Sequence, residues 1–259
     1  MLQEERFLRI RSLLATFSRL NVERVVQDLD VSRETVRRDL LALEGLGELR
    51  RVHGGAVATA PSPEPPLAVR LIARQKEKRA IARAALGLLR PGQTVFLDTG
   101  STTSILAEQI ARLSGMTVIT NSPAIALKLA AADEGRVSGN AVRLLGGAID
   151  VKTQATHGEG TLEDIRRFRA DVALLSPVGM HPKHGAMSFE HHEAAVARAM
   201  AEQAQQVVIL ADHSKLGQTS RVSYARCADI DIVVTDARAR DGVALAGLRK
   251  ACPRVLVAA

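Results

Sequence analysis

The sequence predicts an α/β protein of two domains, a small helical N-terminal domain and a larger C-terminal domain built on an open, mainly parallel sheet. Three observations support this. The hydrophobic spacing is helical through the first sixty residues, β-rich runs alternate with Ala- and Leu-rich stretches thereafter, and proline-rich ATAPSPEPPLA separates the two patterns. We therefore expect one domain in 1–58, a linker in 59–75 and a second domain in 76–259.

The composition fits a folded protein with an anionic partner but does not identify that partner. The chain has 259 residues, 46% of them apolar, and a formal net charge of +7. Most of the positive excess lies in 61–90, with 7 basic against 2 acidic residues. Cys227 and Cys252 form no CxxC pair, which favours a reducing, cytoplasmic location. The mixed charge of the first residues argues against a secretion signal, and no apolar run has transmembrane length.

Two segments of the N-terminal domain have helix-turn-helix spacing. A short helix over about 22–29 is followed, after two residues, by a second helix that begins at Ser32. The Ser32 hydroxyl can cap the second helix by accepting a hydrogen bond from the amide of Glu34 or Thr35. The i, i+4, i+7 spacing gives this helix an apolar face formed by Val36, Leu40 and Leu43.

The opposite face of the second helix is polar near its N-terminal end, the end that reads base edges when such a helix enters a major groove. We expect the DNA-binding residues of this element to be Ser32, Arg33, Thr35, Arg37 and Arg38. Arg37 or Arg38 could make a bidentate contact with guanine. For this segment alone, the alternative is an amphipathic helical hairpin whose charges are solvated.

The next segment, GELRRVHGGA, has the composition of a β-hairpin that lies along a phosphate backbone. We expect Arg50, Arg51 and His53 to contact phosphates, which position a protein without reading sequence. Gly54 and Gly55 would form the turn. The N-terminal domain is therefore predicted to be a winged helix-turn-helix that binds double-stranded operator DNA.

The stretch VSRETVRRDLLALEGLGELRRVHGGA resembles the signature of the DeoR-type family of bacterial sugar-operon repressors, V-S-x-x-T-[IV]-R-R-D-L followed by R-x-H-G-G-A. The resemblance implies that Thr35, Arg37 and Arg38 lie in the DNA-reading element and that 51–55 lies in the wing. It also implies a C-terminal sensor domain that is similar in fold to ribose-5-phosphate isomerase and glucosamine-6-phosphate deaminase and that binds a phosphorylated metabolite.

Seven apolar runs predict the strands of the C-terminal domain: TVFLD, MTVIT, AVRLLG, ADVALLS, VVILAD, DIVVTD and RVLVA. Helical stretches such as PAIALKLAAAD and EAAVARAMAEQAQ separate them. This alternation is typical of a Rossmann-like parallel sheet covered by helices on both faces. In such sheets ligands bind beyond the carboxyl ends of the strands.

The stretch FLDTGSTTS joins the first of these strands, through a flexible hydroxyl-rich turn, to a helix that begins at Ser104. Backbone amides and hydroxyls then converge on a helix N-terminus, an arrangement suited to phosphate. Gly100 would allow close backbone approach, Ser101, Thr102 and Thr103 would donate hydrogen bonds, and Asp98 would accept from ligand hydroxyls or brace the loop. The alternative is a capping turn without a ligand.

Three further strand ends carry polar or glycine residues, namely Thr120 with Asn121, Gly146 with Gly147, and Asp212 with Ser214 and Lys215. Lys215 could neutralise a phosphate or be a solvated surface lysine. Four such ends at one sheet edge predict a small anionic polyol as the ligand.

The motifs DTGSTT, TNS, LLGG, HGEGTL and ADHSKLG also resemble the sensor domain of the DeoR-type family, most closely its repressors of glycerol-3-phosphate metabolism. The resemblance implies a sensor of phosphosugar-isomerase type, and it places Glu193 at an acidic position at the start of a helix, where we expect it to face the pocket and bind the effector. Ser176 and Pro177 depart from the family pattern, where many relatives carry a glycine.

The histidines His181, His184, His191 and His192 are close in sequence but show no metal-binding spacing, so we predict no metal and no cofactor. Asp98, Asp212 or Glu193 could act as the base of a phosphosugar isomerase or deaminase, the alternative function. A recognition helix has no use in such an enzyme. We therefore predict a homodimeric or homotetrameric repressor of a carbohydrate or polyol operon, controlled by a phosphorylated sugar or glycerol 3-phosphate.

Overall fold

The computed structural model describes residues 2–17, 19–52, 54–58, 64–65, 67–131 and 139–259. The chain divides into two units, Met1–Ala73 and Arg74–Ala259. Much of the proline-rich part of the predicted linker, 59–63 and 66, lies outside the described residues. No helix in the described part of the chain combines the length and the apolar character needed to cross a lipid bilayer.

The first unit is a winged helix-turn-helix. Its elements are α1 (Gln3–Phe17), β1 (Arg19–Asn21), α2 (Val22–Leu29), α3 (Arg33–Gly45), β2 (Leu49–Val52), β3 (Gly55–Ala58) and α4 (Leu67–Ile72). The helix predicted over 22–29 and the start of the next helix after Ser32 are confirmed. The three residues of β1 carry no strand pattern in sequence, and they form a strand because they pair antiparallel with β3.

The core of this unit is aliphatic. The predicted stripe of α3 is buried, with Val36, Leu40 and Leu43 no more than 2% exposed. These side chains pack with Ile10 and Leu14 of α1 and with residues of α2 and the small sheet. The two helices of the motif are therefore fixed to α1 by apolar burial, the main favourable term in folding.

The second unit alternates strands and helices, as predicted. In chain order they are α5 (Gln75–Leu86), β4 (Thr94–Leu97), α6 (Ser101–Ile110), β5 (Thr117–Thr120), α7 (Pro123–Ala131), β6 (Ala141–Leu144), β7 (Ala148–Asp150), β8 (Ala155–His157), α8 (Glu159–Arg166), β9 (Ala170–Leu175), β10 (Gly179–His181), β11 (Gly185–Ser188), α9 (His191–Glu202), β12 (Ala204–Leu210), β13 (Val222–Ala225), β14 (Ile232–Thr235), α10 (Val243–Ala251) and β15 (Arg254–Val257).

The main sheet of this unit has the strand order β15-β14-β12-β9-β4-β5-β6, and every pairing in it is parallel. All seven predicted strands are in this sheet. Side chains alternate between its faces, so Val95 and Leu97 pack with α5, α6 and α7, whereas Phe96 packs with α8, α9 and α10. The Rossmann-like fold class, with helices on both faces, is confirmed.

Two smaller sheets were not predicted. Strands β7 and β8 form an antiparallel pair, and β10, β11 and β13 form a three-stranded antiparallel sheet. The pair β7-β8 follows β6, β10 and β11 follow β9, and β13 follows β12, in each case beyond the carboxyl end of a strand of the main sheet. They therefore contribute to the edge at which ligands of such folds bind.

Candidate functional sites

Helix α3 presents a basic face to solvent. Its N-terminus is capped as predicted, since the Ser32 hydroxyl accepts a hydrogen bond from the Thr35 amide at 3.1 Å. Arg33 pairs with Glu23 of α2 at 3.3 Å. The side chains of Arg37 and Arg38 are exposed, and neither bonds to another described residue. Two guanidinium groups are thus available to an external partner.

Asp39, which the sequence did not lead us to expect, supports the predicted DNA-reading helix α3. It lies on the buried side of α3, 2% exposed, and accepts two hydrogen bonds from Arg6 of α1, Nε to Oδ2 at 2.6 Å and Nη2 to Oδ1 at 3.0 Å. This bidentate pair fixes α3 to α1. The sequence indicated that Asp39 would be buried, because its spacing places it on the same helical face as the apolar residues Val36 and Leu43.

Strands β2 and β3 form the predicted hairpin, paired from Leu49↔Ala58 to Val52↔Gly55. Arg50 is exposed on β2. Arg51 instead donates from Nε to Glu44 Oε2 at 2.6 Å, and its amide donates to Glu44 Oε1 at 2.7 Å. Of the two arginines, Arg51 is therefore already engaged within its own chain. His53 lies outside the described residues.

The two glycines of the wing have different surroundings. Gly54 is exposed in the turn with φ of 78°. Gly55 is buried, and a Cβ atom there would lie 1.7 Å from the Leu20 carbonyl oxygen of β1. Gly55 therefore allows β1 and β3 to pair closely, which is a packing reason for its identity.

In the sensor unit, the parallel sheet places the predicted effector residues along one edge, where β4, β5, β6 and β12 end. These residues are Asp98, Gly100, Ser101, Thr102, Thr103, Thr120, Asn121, Gly146, Gly147, Asp212, Ser214 and Lys215. The loops after β4 and β5 are joined directly, because the Thr99 amide donates to Asn121 Oδ1 at 2.9 Å. The same amide donates to Asp98 Oδ1 at 2.8 Å, so Asp98 braces this loop.

The hydroxyl-rich segment 101–104 was predicted as a flexible turn ahead of the helix, and this prediction is wrong. Helix α6 begins at Ser101, and the Gly100 carbonyl already accepts from the Ser104 amide at 2.9 Å. All four hydroxyl residues are buried. Thr103 donates to the Gly100 carbonyl at 3.0 Å, whereas the Ser101 and Thr102 hydroxyls bond to no other described residue.

Ser176, the departure from the family pattern, lies directly against this loop. A Cβ atom at Gly100 would be 3.0 Å from the Ser176 Cβ and 3.0 Å from the Thr103 hydroxyl. Gly100 therefore permits close packing between the loop and the end of β9.

Three predicted effector residues make contacts within the chain, and for Gly147 the surroundings explain its identity without a ligand. The Thr120 hydroxyl accepts from the Ser122 amide at 3.1 Å. The Gly146 carbonyl accepts from the Thr161 hydroxyl at 2.5 Å. A side chain at Gly147 would collide with the Thr161 hydroxyl and the His157 carbonyl, at 2.1 and 2.5 Å.

Arg74, which the sequence placed in the linker, is part of this edge. Its Nε donates to Asp212 Oδ1 at 3.1 Å and its Nη2 donates to the Ser214 hydroxyl at 2.7 Å. Its backbone has a φ of 51°, uncommon for a residue other than glycine. Burial raises the pKa of Asp212, but Arg74, the Ser214 hydrogen bonds and Lys215 together lower it below its usual value. Asp212 is therefore an ionised, largely buried carboxylate.

Glu193 lies in the first turn of α9 and accepts a hydrogen bond from the Ser188 hydroxyl at 2.5 Å. The four clustered histidines separate in space. His181 and His184 stack with ring centroids 4.9 Å apart, whereas His192 stacks with the more distant His157 at 4.4 Å.

Comparison with known families agrees with this architecture. Residues 2–61 match the DeoR-like helix-turn-helix domain, and residues 73–237 match the DeoR C terminal sensor domain. The chain belongs to the DeoR family. The two matched regions fall on the winged helix-turn-helix and on the parallel-sheet unit.

Several curated DeoR-family relatives match over nearly their whole length. The HTH-type transcriptional repressor GlcR of Bacillus subtilis is 35% identical, over 91% of this chain and 89% of the relative. The HTH-type transcriptional regulator GlpR of Haloferax volcanii is 35% identical, over 91% of each. The glycerol-3-phosphate regulon repressor of Escherichia coli is 30% identical, over 92% of each. These relatives are transcriptional regulators.

Solved structures overlap this DeoR-family chain only partly. Ribose 5-phosphate isomerase A from Neisseria gonorrhoeae has a TM-score of 0.39 at 16% identity, covering 56% of this chain and 54% of its own. The eIF2B beta subunit from Chaetomium thermophilum has a TM-score of 0.41 at 16% identity, covering 73% of this chain and 47% of its own. Overlaps of this extent carry no argument about catalysis.

Two other features of the sensor unit were not anticipated. Asp236, which follows β14, is 2% exposed. Its carboxylate accepts a hydrogen bond from the His213 amide at 2.7 Å and lies 3.1 Å from Nδ1 of the His213 ring. A cavity of about 340 Å³ is lined in part by Arg198, Tyr224 and Arg226. Its lining, as far as the structure describes it, includes none of the predicted effector residues.

Proposed function

We propose that this DeoR-family protein is a transcriptional repressor of a carbohydrate or polyol catabolic operon, and that a phosphorylated sugar or glycerol 3-phosphate controls its operator binding. One observation carries the proposal. A single chain joins a helix with two exposed arginines, which bond to no other described residue, to a sensor unit whose strand ends gather amides, hydroxyls and a lysine. The glycerol-3-phosphate regulon repressors among the relatives support the effector class.

The phosphate would bind at the N-terminus of α6. The first amides of a helix have no partner within the helix, and the helix dipole favours an anion there. The buried Ser101 and Thr102 hydroxyls add two donors with no described partner. Lys215, beyond β12, would supply the positive charge.

Arg74 would couple effector binding to the rest of the chain. It is the first residue of the sensor unit and is held by Asp212 and Ser214, beside Lys215. An anion bound near Lys215 would compete with Asp212 for the Arg74 guanidinium. A coupling of about 1–3 kcal/mol between effector and operator would change operator affinity roughly 5- to 150-fold.

We also propose that the protein acts without catalysis, as a homodimer or homotetramer that binds half-sites about 34–36 Å apart or a multiple of that distance. An isomerase needs a carboxylate that accepts a proton near neutral pH. The lowered pKa of Asp212 makes it a weak base, and Asp98 braces its own loop. Both carboxylates are therefore better suited to holding structure than to proton transfer.

The test measures fluorescence anisotropy of labelled duplexes from the intergenic DNA on either side of the gene. We expect specific binding that shifts at least 5-fold when glycerol 3-phosphate, fructose 6-phosphate or another phosphorylated metabolite is added. Lys215→Ala should retain DNA binding but lose the metabolite response. Lys250→Ala, which removes the same charge from exposed α10 of the same unit, is the control and should respond normally.

Two results would overturn the proposal. If Lys215→Ala still responds to the metabolite, the effector site does not lie at the end of β12. Turnover of ribose 5-phosphate or glucosamine 6-phosphate by the purified protein would favour the isomerase or deaminase alternative.

A further inference from the structure

Three side chains with metal-ligating atoms meet beside the predicted effector edge, two of them from neighbouring strands and the third from a later helix. Asp150 ends β7, His157 ends β8 and His192 lies in the first turn of α9. One ligand atom of each residue lies within 4.8 Å of the other two. All three residues are partly buried.

The spacing already approaches that of a coordinated ion. Two nitrogen or oxygen ligands at about 2.0–2.1 Å from one tetrahedral ion lie roughly 3.4 Å apart. His192 Nε2 and Asp150 Oδ2 are 3.3 Å apart. A rotation of the His157 side chain would close the remaining distance.

Asp150 is held in one orientation by its own loop. Its Oδ1 accepts hydrogen bonds from the Lys152 amide at 2.8 Å, the Thr153 amide at 2.8 Å and the Thr153 hydroxyl at 3.1 Å. Oδ1 is therefore occupied by hydrogen bonds while Oδ2 contacts His192, the arrangement of a ligand supported by an outer shell.

His192 supplies the observation that points to an absent ligand. Its Nε2 atom is buried, and it makes no hydrogen bond to any described residue despite its 3.3 Å contact with Asp150. Buried polar atoms without a partner are rare, because each costs free energy comparable to a lost hydrogen bond. A metal ion between His192, Asp150 and His157 would satisfy this nitrogen.

We propose that Asp150, His157 and His192 bind a divalent transition-metal ion of the Zn²⁺ class. Two imidazoles and one carboxylate are a ligand set that favours zinc and its first-row neighbours over Mg²⁺ and Ca²⁺, which prefer oxygen ligands only. Three protein ligands leave at least one coordination position open to water or another oxygen donor. The Thr153 carbonyl accepts from the Thr99 hydroxyl at 3.5 Å, so the site borders the DTGSTT loop.

The experiment uses the full chain, with any affinity tag removed, stripped with chelator and then titrated with Zn²⁺ or Co²⁺. We expect about one tightly bound ion per chain by elemental analysis after gel filtration, and d–d absorption bands with Co²⁺. His157→Gln, His192→Gln and Asp150→Asn should each weaken binding roughly 100-fold or more. Thr153→Val should weaken it about 10-fold, because losing an outer-shell partner costs 10- to 100-fold.

The matched control is His184→Gln. His184 stacks with His181 as His157 stacks with His192, but no described carboxylate accompanies that pair in the metal-ligand grouping. The variant should bind Zn²⁺ as the unchanged protein does. If a histidine variant fails to fold, Asp150→Asn and Thr153→Val test the same site.

Two outcomes would overturn the proposal. One is a stripped protein that retains no Zn²⁺ after gel filtration. The other is a loss of binding in His184→Gln as large as in His192→Gln. Metal binding is measured directly, so the result is independent of the identity of the effector.

Discussion

The two units place their polar groups in opposite ways. In the winged helix-turn-helix, Arg37, Arg38 and Arg50 lie on the surface of an aliphatic core. In the sensor unit, hydroxyl residues, Asp98, Asn121 and Asp212 are buried at the ends of strands. The difference suits the sizes of the proposed ligands, because DNA is larger than its domain and meets an outer face, whereas a metabolite is enclosed.

Each unit also contains one arginine–aspartate pair whose aspartate is no more than 3% exposed. Arg6 and Asp39 are 2.6 Å apart, and Arg74 and Asp212 are 3.1 Å apart. The first pair joins two helices away from the exposed arginines, so its role is to hold a surface element. The second lies among the predicted effector residues, so it is both a structural support and a group that an anion can disturb.

The largest expected effect follows from breaking the sensor pair. Arg74→Ala leaves the buried Asp212 carboxylate without its paired guanidinium, and removing one partner of a buried pair costs about 3–5 kcal/mol. Urea unfolding followed by circular dichroism would measure the change in the free energy of unfolding. The double variant Arg74→Ala, Asp212→Asn should recover part of the loss. A single variant as stable as the unchanged protein would show that the pair does not support the fold.

The pH dependence of stability sharpens the same comparison. The pKa of Asp212 is lowered in the folded protein, so its contribution is present above the unfolded value of about 3.9 and is lost as pH falls. In Arg74→Ala, burial would raise this pKa, so that variant gains stability as pH falls through the raised value. The stability difference between the two proteins should therefore shrink between about pH 7 and pH 4.5. Urea titrations across this range would measure it, and a pH-independent difference would contradict the assignment.

A smaller effect is expected at the outer face of α3. Arg37→Ala and Arg38→Ala should each reduce discrimination between operator and scrambled duplex by about 1–3 kcal/mol, roughly 5- to 150-fold, wherever the arginine contacts a guanine. Anisotropy titrations on both duplexes would measure this ratio. Arg24→Ala, an exposed arginine of α2, is the charge-matched control and should retain the discrimination. An equal loss of discrimination in Arg24→Ala would contradict the assignment of base reading to α3.

The smallest effect is expected in the wing. Arg50→Ala should weaken binding to all duplexes alike and reduce the slope of log affinity against log salt by about 1. Arg51→Ala should change that slope less, because Arg51 is already paired with Glu44 at 2.6 Å. Titrations at several salt concentrations would measure both slopes. A larger change for Arg51 would mean that its pairing with Glu44 is exchanged for phosphate on DNA.

Local patterns in the sequence predicted much of this fold. The seven parallel strands, the two helices of the DNA-binding motif and the Ser32 cap all depend on residues close together in sequence. Strand β1 was missed because it forms only by pairing with the distant β3. The pairs β7-β8 and β10-β11 are local but have strands of only three or four residues, and β13 joins β11 from a distant segment. The flexible turn predicted at 101–104 was wrong, because hydrogen bonding from Gly100 begins α6 earlier than the composition indicates. The DNA-contacting and effector-binding residues stay predictions.

By itself, the sequence determined the two-domain α/β architecture, the winged motif and the strand ends at which polar residues gather. Periodicity, capping and turn chemistry act over a few residues, so they can be read without coordinates. Only the tertiary structure decided that Arg74 meets Asp212 and that Asp150, His157 and His192 meet one another. Apart from Asp150 and His157, which lie on the paired strands β7 and β8, these residues come from segments distant in sequence, and the geometry of their contacts is set by how strands and helices pack rather than by any local pattern.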